Sequence, residues 1–152
     1  MDHVQYMQLT LEHAHRAYAA GSRPVGSVIV RDGAVIGEGL NTVAADRDPS
    51  AHAEIAALRA ACRKLDTLTL PGATLYSSLE PCPMCLWAIL ETGIARLVMG
   101  ARHAALGRKD VGDYSVERFL ALTKRQLEVV TGVLEAECTE LRLKWMREQK
   151  TR

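Results

Sequence analysis

Apolar residues recur at helical spacing near the start of the chain. With a period close to 3.6 residues, such positions fall on one face of a helix. They are Val4, Met7, Leu11, Ala14 and Tyr18. Gly21 follows them, and glycine is a common terminator of helices. The pattern predicts an amphipathic first helix.

Two short apolar runs come next and predict a β-hairpin. VGSVIV and AVIGEGL have the length and the β-branched content of strands. Asp32 and Gly33 lie between them, and this pair suits a two-residue turn because both of its central residues need positive φ. After the hairpin, Asp48 is suited to a helix N-cap and Pro49 to the first helical position. We therefore expect a helix that begins there and runs through AHAEIAALRAAC.

The middle of the chain alternates strand, helix and strand. Pro71-Gly72 precedes the strand ATLYSSL, Pro81 opens a helix through MCLWAILET, and Gly93 ends that helix before the strand ARLVMG. Such a unit normally forms a parallel pair with a right-handed crossover, so the first strand ends where the helix begins. Both cysteines of a C-x-x-C motif lie at this junction.

The C-terminal third completes a three-layer α/β fold around a mixed sheet. Ser115 is suited to cap a short helix VERFLAL, and LEVVTG has the pattern of a strand. A last amphipathic helix follows from four residues at helical spacing. They are Leu134, Cys138, Leu141 and Trp145.

Composition narrows the class of protein. A chain of 152 residues with 48% hydrophobic content can bury one core, so we expect a single domain over residues 1–152. The polar start of the chain and the lack of a long apolar run predict a cytoplasmic protein with no membrane partner. The formal net charge of +1 neither requires nor excludes nucleic acid. Four cysteines in such a chain favour metal binding or catalysis over a disulfide framework.

Three residues form a candidate zinc site. Cys82 and Cys85 would share one face at a helix N-terminus, where the helix dipole favours thiolate, and His52 adds an imidazole. Zinc suits such a sulfur and nitrogen set, and three protein ligands leave one position open for water, as in catalytic sites. Glu54 follows His52 by two residues, a rotation of about 200° on a helix, so we expect it beside the metal and not on it.

These motifs resemble those of a known family. HAE at 52–54 with PCPMC at 81–85 resembles the H-x-E and P-C-x-x-C signature of the cytidine-deaminase-like zinc deaminases. The likeness runs from about Pro24 to Trp145 and includes PVGSVIV, DPSAHAEI and IARLVMGA. Within the family the chain is most similar to bacterial guanine deaminases and tRNA adenosine deaminases, with some likeness to yeast-type cytosine deaminase.

The resemblance implies a fold, a cofactor and residue roles. It implies a three-layer α/β/α fold with a five-stranded mixed sheet, one zinc ion per chain and a homodimer. Glu54 would take a proton from water at the zinc and deliver it to the ring nitrogen, then assist the loss of ammonia. Asn41 matches an asparagine that hydrogen-bonds the base, although a turn residue that ends the strand is an alternative.

Some alternatives stay open on the residues alone. A closed structural zinc site would need a fourth ligand, for which Cys62, Cys138 and His103 are candidates. The two cysteines lie near apolar helix positions, which is typical of core cysteine. A non-catalytic zinc-stabilised binding module is the matching functional alternative. Glu54 argues against it, because a scaffold has no use for a carboxylate beside an open zinc position.

Two further residues are candidates for contact with a substrate. Trp87 stands where the likeness to guanine deaminases predicts glycine, and an indole there either lines the pocket or packs in a subunit interface. Acidic residues from the C-terminal half help to select the base in guanine deaminases. Asp113 is a candidate on that ground.

The resulting functional hypothesis is a hydrolytic deaminase of a free base or nucleoside, with guanine first and cytosine or a related base next. A tRNA adenosine deaminase that forms inosine is the alternative, and the segment QLEVVTGVL resembles those enzymes. The acidic, tyrosine-bearing segment at 110–117 favours the small substrate, since it would repel an RNA backbone. RNA would need a basic rim. Its candidates are Arg102, Arg108, Lys109, Lys144, Arg147 and Lys150.

Overall fold

The computed structural model describes residues 2–150 of the chain. The helices are α1 (His3–Ala19), α2 (Val43–Asp46), α3 (Ala53–Lys64), α4 (Pro83–Glu91), α5 (Val116–Thr123) and α6 (Glu135–Gln149). The strands are β1 (Gly26–Arg31), β2 (Ala34–Leu40), β3 (Thr74–Leu79), β4 (Arg96–Ala101) and β5 (Glu128–Val130).

The strands form one five-stranded mixed sheet in the order β2-β1-β3-β4-β5. Strand β1 runs antiparallel to β2 and to β3, whereas β3, β4 and β5 run parallel to one another. The predicted parallel pair on either side of α4 is confirmed. So is the mixed sheet that the family resemblance implied.

Helices cover both faces of this sheet. Neighbouring side chains of a strand point to opposite faces, and β1 shows how the two layers divide. Ile29 packs into a cluster with residues of α3 and α4, while Val28 and Val30 pack into a second cluster with residues of α1 and α6. The expected three-layer α/β/α architecture is therefore confirmed.

The hairpin turn has the predicted backbone conformation. Asp32 has φ of 52° and Gly33 has φ of 75°, so both central residues are left-handed, as a two-residue turn requires. The register between β1 and β2 shifts once, between Ile29 and Val30, which marks a β-bulge.

The helix predicted to begin at Pro49 begins later. Asp48 does not cap it, because its Oδ1 accepts hydrogen bonds from the backbone N–H and the hydroxyl of Ser50, at 2.8 and 2.7 Å. This local turn competes with helix formation. Helix α3 therefore starts at Ala53, and His52, with extended φ and ψ of −74° and 155°, is its N-cap.

Helix α4 also begins two residues after the predicted start. Pro83 and not Pro81 is the first residue of α4. This position suits proline because the first N–H groups of a helix have no partner within it. The carbonyl of Pro81 instead accepts a hydrogen bond from the Tyr114 hydroxyl. Cys82 becomes the N-cap of α4, with φ of −70° and ψ of 170°.

The C-terminal elements follow the expected order with small differences in length. Ser115 caps α5 as predicted, since its hydroxyl accepts from the Arg118 N–H at 3.1 Å. Strand β5 has three residues and is shorter than the predicted run LEVVTG. Within residues 2–150, each helix is too short or too polar to cross a bilayer.

Helix α3 lies unusually close to strand β2 because the strand presents glycine to it. A Cβ atom at Gly39 would lie 2.5 Å from the carbonyl oxygen of Ala53 and 2.6 Å from the amide nitrogen of Ala57. Both of these are backbone atoms of the helix and cannot rotate away. The glycine therefore sets the distance between the sheet and the start of α3.

We predict that Gly39→Ala lowers the free energy of unfolding by about 1–3 kcal/mol, the usual range for overpacking. The added methyl must push the N-terminal turn of α3 away from β2. Ala34→Val is the matched control, because Ala34 is an exposed residue of the same strand. Urea unfolding followed by circular dichroism measures both variants, and equal stability of Gly39→Ala and the parent would contradict this packing constraint.

Candidate active site

Two helix N-termini meet beside the end of strand β3. His52 precedes α3 and Cys82 precedes α4, both with extended backbone, and Cys85 lies in the first turn of α4. Unpaired N–H groups and the helix dipole make each terminus favourable for negative charge. The strand-helix-strand crossover brings both cysteines to this point, as the sequence pattern predicted.

The three side chains have the spacing of ligands to one metal ion. His52 Nδ1 lies 3.6 Å from Cys82 Sγ and 3.5 Å from Cys85 Sγ. In a tetrahedral zinc site, bond lengths of ~2.3 Å to sulfur and ~2.05 Å to nitrogen put those atoms about 3.6 Å apart. The set fits zinc, and His52 offers Nδ1 as its ligand atom.

Among the described residues, only this set brings three ligand atoms of His, Cys, Asp or Glu close enough together to hold one metal ion. Cys62 is half-buried away from it, and Cys138 is buried against Gly100, where an added Cβ would lie 2.4 Å from its sulfur. His103 lines the same cavity but does not join the set either, so none of the three candidates for a fourth protein ligand is brought to the metal. Three ligands with one open position fit a catalytic site better than a structural one.

The cluster already stabilises one thiolate. A hydrogen bond from Cys85, together with the His52 ring, lowers the pKa of Cys82 to about 4. The same hydrogen bond and burial raise the pKa of Cys85, and contact with Cys82 raises that of His52. The thiols hold a proton between them that a bound cation displaces, so metal binding releases protons.

Glu54 lies beside the metal set and is not part of it. Its carboxyl group is buried, with 3% of the residue exposed, and it hydrogen-bonds Cys85. The Ser77 hydroxyl lies 3.3 Å from its Oε1. Burial raises the pKa of Glu54, which favours exchange of a proton near neutral pH. The predicted position beside the metal agrees with this placement, although His52 is an N-cap and the argument from helical rotation does not apply to it.

Asn41 lines the same cavity as His52, Glu54 and Cys82. Its Oδ1 accepts the N–H of Val43 at 3.2 Å, so it also shapes the turn after β2. The side-chain amide nitrogen remains to donate a hydrogen bond. Asn41 therefore shapes the turn and lines the cavity at the same time.

Glu80, at the end of β3, organises the far wall of the cavity. Its buried carboxylate accepts from Arg102 Nε at 3.0 Å and from the N–H groups of His103 and Val116 at 3.1 and 2.8 Å. Burial alone would raise its pKa, but these hydrogen bonds hold the pKa below its usual value. The sequence analysis did not single out Glu80, although it directly precedes the PCPMC motif.

The mouth of the cavity is basic, and Arg108 is the one of its arginines that was among the expected rim residues. Arg23, Arg108 and Arg142 line it together with His103. Arg142 is the least expected of them, since it comes from the buried face of α6 and is only 6% exposed. In the sequence, Arg142 stands out as a charged residue on the apolar face of the last helix, four positions after Cys138.

The two remaining candidates, Asp113 and Trp87, lie outside this cavity. Asp113 is exposed on the loop before α5 and borders a separate depression with His103 and Arg118. Trp87 is 45% exposed on the outer face of α4, where it contacts the Phe119 ring at a centroid distance of 6.2 Å. Within the chain, the indole does not narrow the pocket.

We predict that the protein binds one zinc ion per chain and that Cys85→Ser loses both the metal and stability, because the site lacks a replacement ligand. Cys62→Ser is the matched control and should keep full zinc, since Cys62 lies away from the set. Metal analysis and thermal unfolding measure the two effects. Full zinc content in Cys85→Ser would contradict the assignment.

Comparison with known proteins agrees with this geometry. Residues 1–101 match the family model for the cytidine and deoxycytidylate deaminase zinc-binding region. A tRNA-specific adenosine deaminase of Haemophilus influenzae is 42% identical over 140 residues, covering 88% of this chain and 77% of the relative. A guanine deaminase of Bacillus subtilis is 47% identical over 104 residues, covering 68% of this chain and 67% of the relative.

A solved structure from a study of deaminases that edit the wobble adenosine of transfer RNA superposes with a TM-score of 0.81 at 38% identity. The match covers 90% of this chain and 98% of that structure. The family-model match over residues 1–101 includes the metal set and strands β1 to β4. The chain therefore belongs to the cytidine and deoxycytidylate deaminase family and is a zinc-dependent hydrolytic deaminase of nucleobases or nucleosides.

Proposed function

We propose that this chain is a single deaminase domain that converts an adenosine of transfer RNA to inosine. The observation that carries this proposal is the charge of the surface leading to the metal cavity. A groove outside the cavity shares Arg23, Arg108 and Arg142 with it and adds Lys109 and Lys150. Such a concentration of cations suits a phosphate backbone more than a neutral free base.

Two of the three acidic residues that argued for a small substrate, Asp110 and Glu117, are paired with arginines, and the third, Asp113, is exposed beside a separate depression. Asp110 forms an ion pair with Arg108 at 2.5 Å, and Glu117 forms one with Arg102 at 2.6 Å. Arg102 is itself held by Glu80 and so does not belong to the basic rim. The acidic residues at the mouth therefore do not favour a small substrate over RNA. Similarity to a tRNA-specific adenosine deaminase over 88% of the chain further supports RNA.

Guanine is the second candidate substrate. A guanine deaminase is 47% identical to this chain over the 104 residues that they share. Cytosine, which was the next expectation, has no comparable support. A free base has no phosphate, however, and would give the buried donors of Arg142 no anionic acceptor, which they also lack in the described part of the chain.

Glu54 would act as the proton carrier of the reaction. Burial beside the metal set keeps its carboxyl group from bulk water, and the Ser77 hydroxyl, 3.3 Å from its Oε1, orients it. When bound, zinc supplies the Lewis acidity that lowers the pKa of a water molecule toward neutrality. Glu54 would take one proton from water at this position and give it to the ring nitrogen as the water oxygen bonds to the ring carbon. It would then take the second proton of that oxygen and give it to the amine, which leaves as ammonia while the carbonyl forms.

Asn41 would orient the base. The side-chain oxygen of Asn41 is engaged by Val43, so the amide nitrogen is the group directed to a substrate acceptor. Ala53 and Leu79 supply apolar walls to the same cavity, which suit the faces of a flat heterocycle.

We also propose that the protein is a homodimer formed through the outer face of α4. Trp87 and Met84 are 45% and 40% exposed there, and the Arg125 guanidinium lies 5.4 Å from the centre of the indole ring. Exposed aromatic residues beside an arginine are typical of protein interfaces. This gives Trp87 the interface role that the sequence analysis left open.

The substrate is tested by measuring ammonia and inosine from a tRNA anticodon stem-loop, adenosine, guanine and cytosine, each with the zinc-loaded protein. We expect the RNA to have a kcat/KM at least about 100-fold above any free base, because phosphate contacts supply much of the binding energy of nucleic acids. Guanine turnover that exceeds RNA turnover would instead support the second candidate.

We predict that Glu54→Gln keeps zinc and lowers kcat by about 10²–10⁴-fold, the usual effect of losing a general acid-base group. Glu12→Gln is the matched control, because Glu12 is exposed on α1. Metal analysis confirms equal loading before rates are compared. A rate for Glu54→Gln equal to that of the parent would remove Glu54 from the mechanism.

A further inference from the structure

Two buried side chains of the cavity carry donors without acceptors. Arg142 Nε and Nη1 and His103 Nε2 find no hydrogen-bond partner in the described part of the chain. Arg142 is 6% exposed and His103 is 2% exposed, so water does not freely solvate them. Buried polar groups of this kind normally have partners, and a charged one left alone is costly.

The His103 ring is oriented so that it donates into the cavity. Its Nδ1 faces Arg108 Nη1 at 3.3 Å. A guanidinium group only donates, so Nδ1 must accept and the proton of the neutral ring lies on Nε2. Burial lowers the pKa of His103, and the neighbouring Arg108 and Arg142 lower it further, which keeps the ring neutral.

Arg142 is held in place without a neutralising partner. Its guanidinium packs over the Trp145 ring at 4.6 Å from the centroid, and the side chain forms no ion pair within residues 2–150. Burial and the positive charges of Arg108 and Arg23 lower the pKa of Arg142 to about 10, whereas the negative charge of Asp110 acts to raise it. Asp110 is already paired with Arg108, so Arg142 keeps unbalanced positive charge.

The acids of the cavity do not supply the missing acceptor. Glu80 uses both of its oxygens on Arg102, His103 N and Val116 N. Glu54 is engaged by Cys85 at the metal set. The free groups of Arg142 and His103 are thus all donors, and they line one cavity with the metal ligands.

We propose that Arg142 and His103, flanked by Arg23 and Arg108, form an anion site that binds the phosphate group of the nucleotide whose base enters the metal cavity. The proposal rests on the proposed nucleoside substrate of the neighbouring centre. A phosphate oxygen accepts several hydrogen bonds at once, and the planar guanidinium matches two such oxygens. Binding would give each of the unpartnered donors an acceptor.

The direct test uses inorganic phosphate and does not depend on turnover. Titration calorimetry on the zinc-loaded protein measures the affinity for phosphate in the parent and in Arg142→Met, which keeps an unbranched apolar stem but removes the guanidinium. We expect a loss of at least about 10-fold in Arg142→Met, since a charge-assisted hydrogen bond is removed. Arg59→Met is the matched control and should bind as the parent does, because Arg59 is exposed on α3.

Stability separates a binding role from a structural one. Without phosphate, Arg142→Met should keep zinc and should have the same or a higher Tm, because it replaces an unpaired buried charge. His103→Phe, which keeps a ring but lacks the Nε2 donor, should also weaken phosphate binding. Unchanged phosphate affinity in both variants, or a large loss of Tm and zinc in Arg142→Met, would overturn the proposal.

Substrates with and without phosphate identify the source of the anion. If the site takes an RNA backbone phosphate, Arg142→Met lowers kcat/KM for the stem-loop by a much larger factor than kcat/KM for adenosine. If it takes a terminal phosphate, the parent prefers adenosine 5′-monophosphate to adenosine, and Arg142→Met loses that preference. Weakened phosphate binding without deamination of any adenosine substrate would keep the anion site and reject the proposed function. If Arg142→Met and the parent had equal kcat/KM on every substrate and equal phosphate affinity, the anion site would be rejected and the proposed function would be kept.

Discussion

The meeting of two helix N-termini at the end of β3 is the constraint on which the site depends. His52 and Cys82 are both N-caps, so their extended backbones direct the side chains out of the helices and toward each other. The position of α3 is set by its close approach to Gly39, and that of α4 by the crossover between parallel strands. The metal ligands are therefore positioned by packing between the sheet and two helices, and not by any flexible loop.

The fold and the metal set could be predicted from the sequence because each depends on local signals. The Asp32-Gly33 turn, the cap at Ser115 and the C-x-x-C motif depend on residues near each other in the chain. The predicted start of α3 was wrong, because Asp48 can either cap a helix or accept from the N–H of Ser50, and the sequence does not show which. Arg23 and Arg142 were missed at the basic mouth for a similar reason, since both lie far along the chain from Arg108, which was expected there.

Charge near the cavity is distributed so that some carboxylates are paired while a buried arginine is not. Formal net charge is only +1, yet Glu80 and Asp110 are paired with Arg102 and Arg108. Arg142 remains without such a pair in the part of the chain that the structure describes. A nearly neutral sequence can therefore present a locally positive surface, because the field near a site depends on which charges are paired and not on their sum.

The buried carboxylate of Glu80 has a mechanical consequence. It binds the chain at His103 and again at Val116, so one side chain closes the base of the loop between them. With both ends clamped, the exposed residues of this loop can change without pulling on β3, whereas Tyr114 ties the loop to the Pro81 carbonyl beside the metal ligand Cys82. The outer part of the loop is thus free to vary while the reacting centre is preserved.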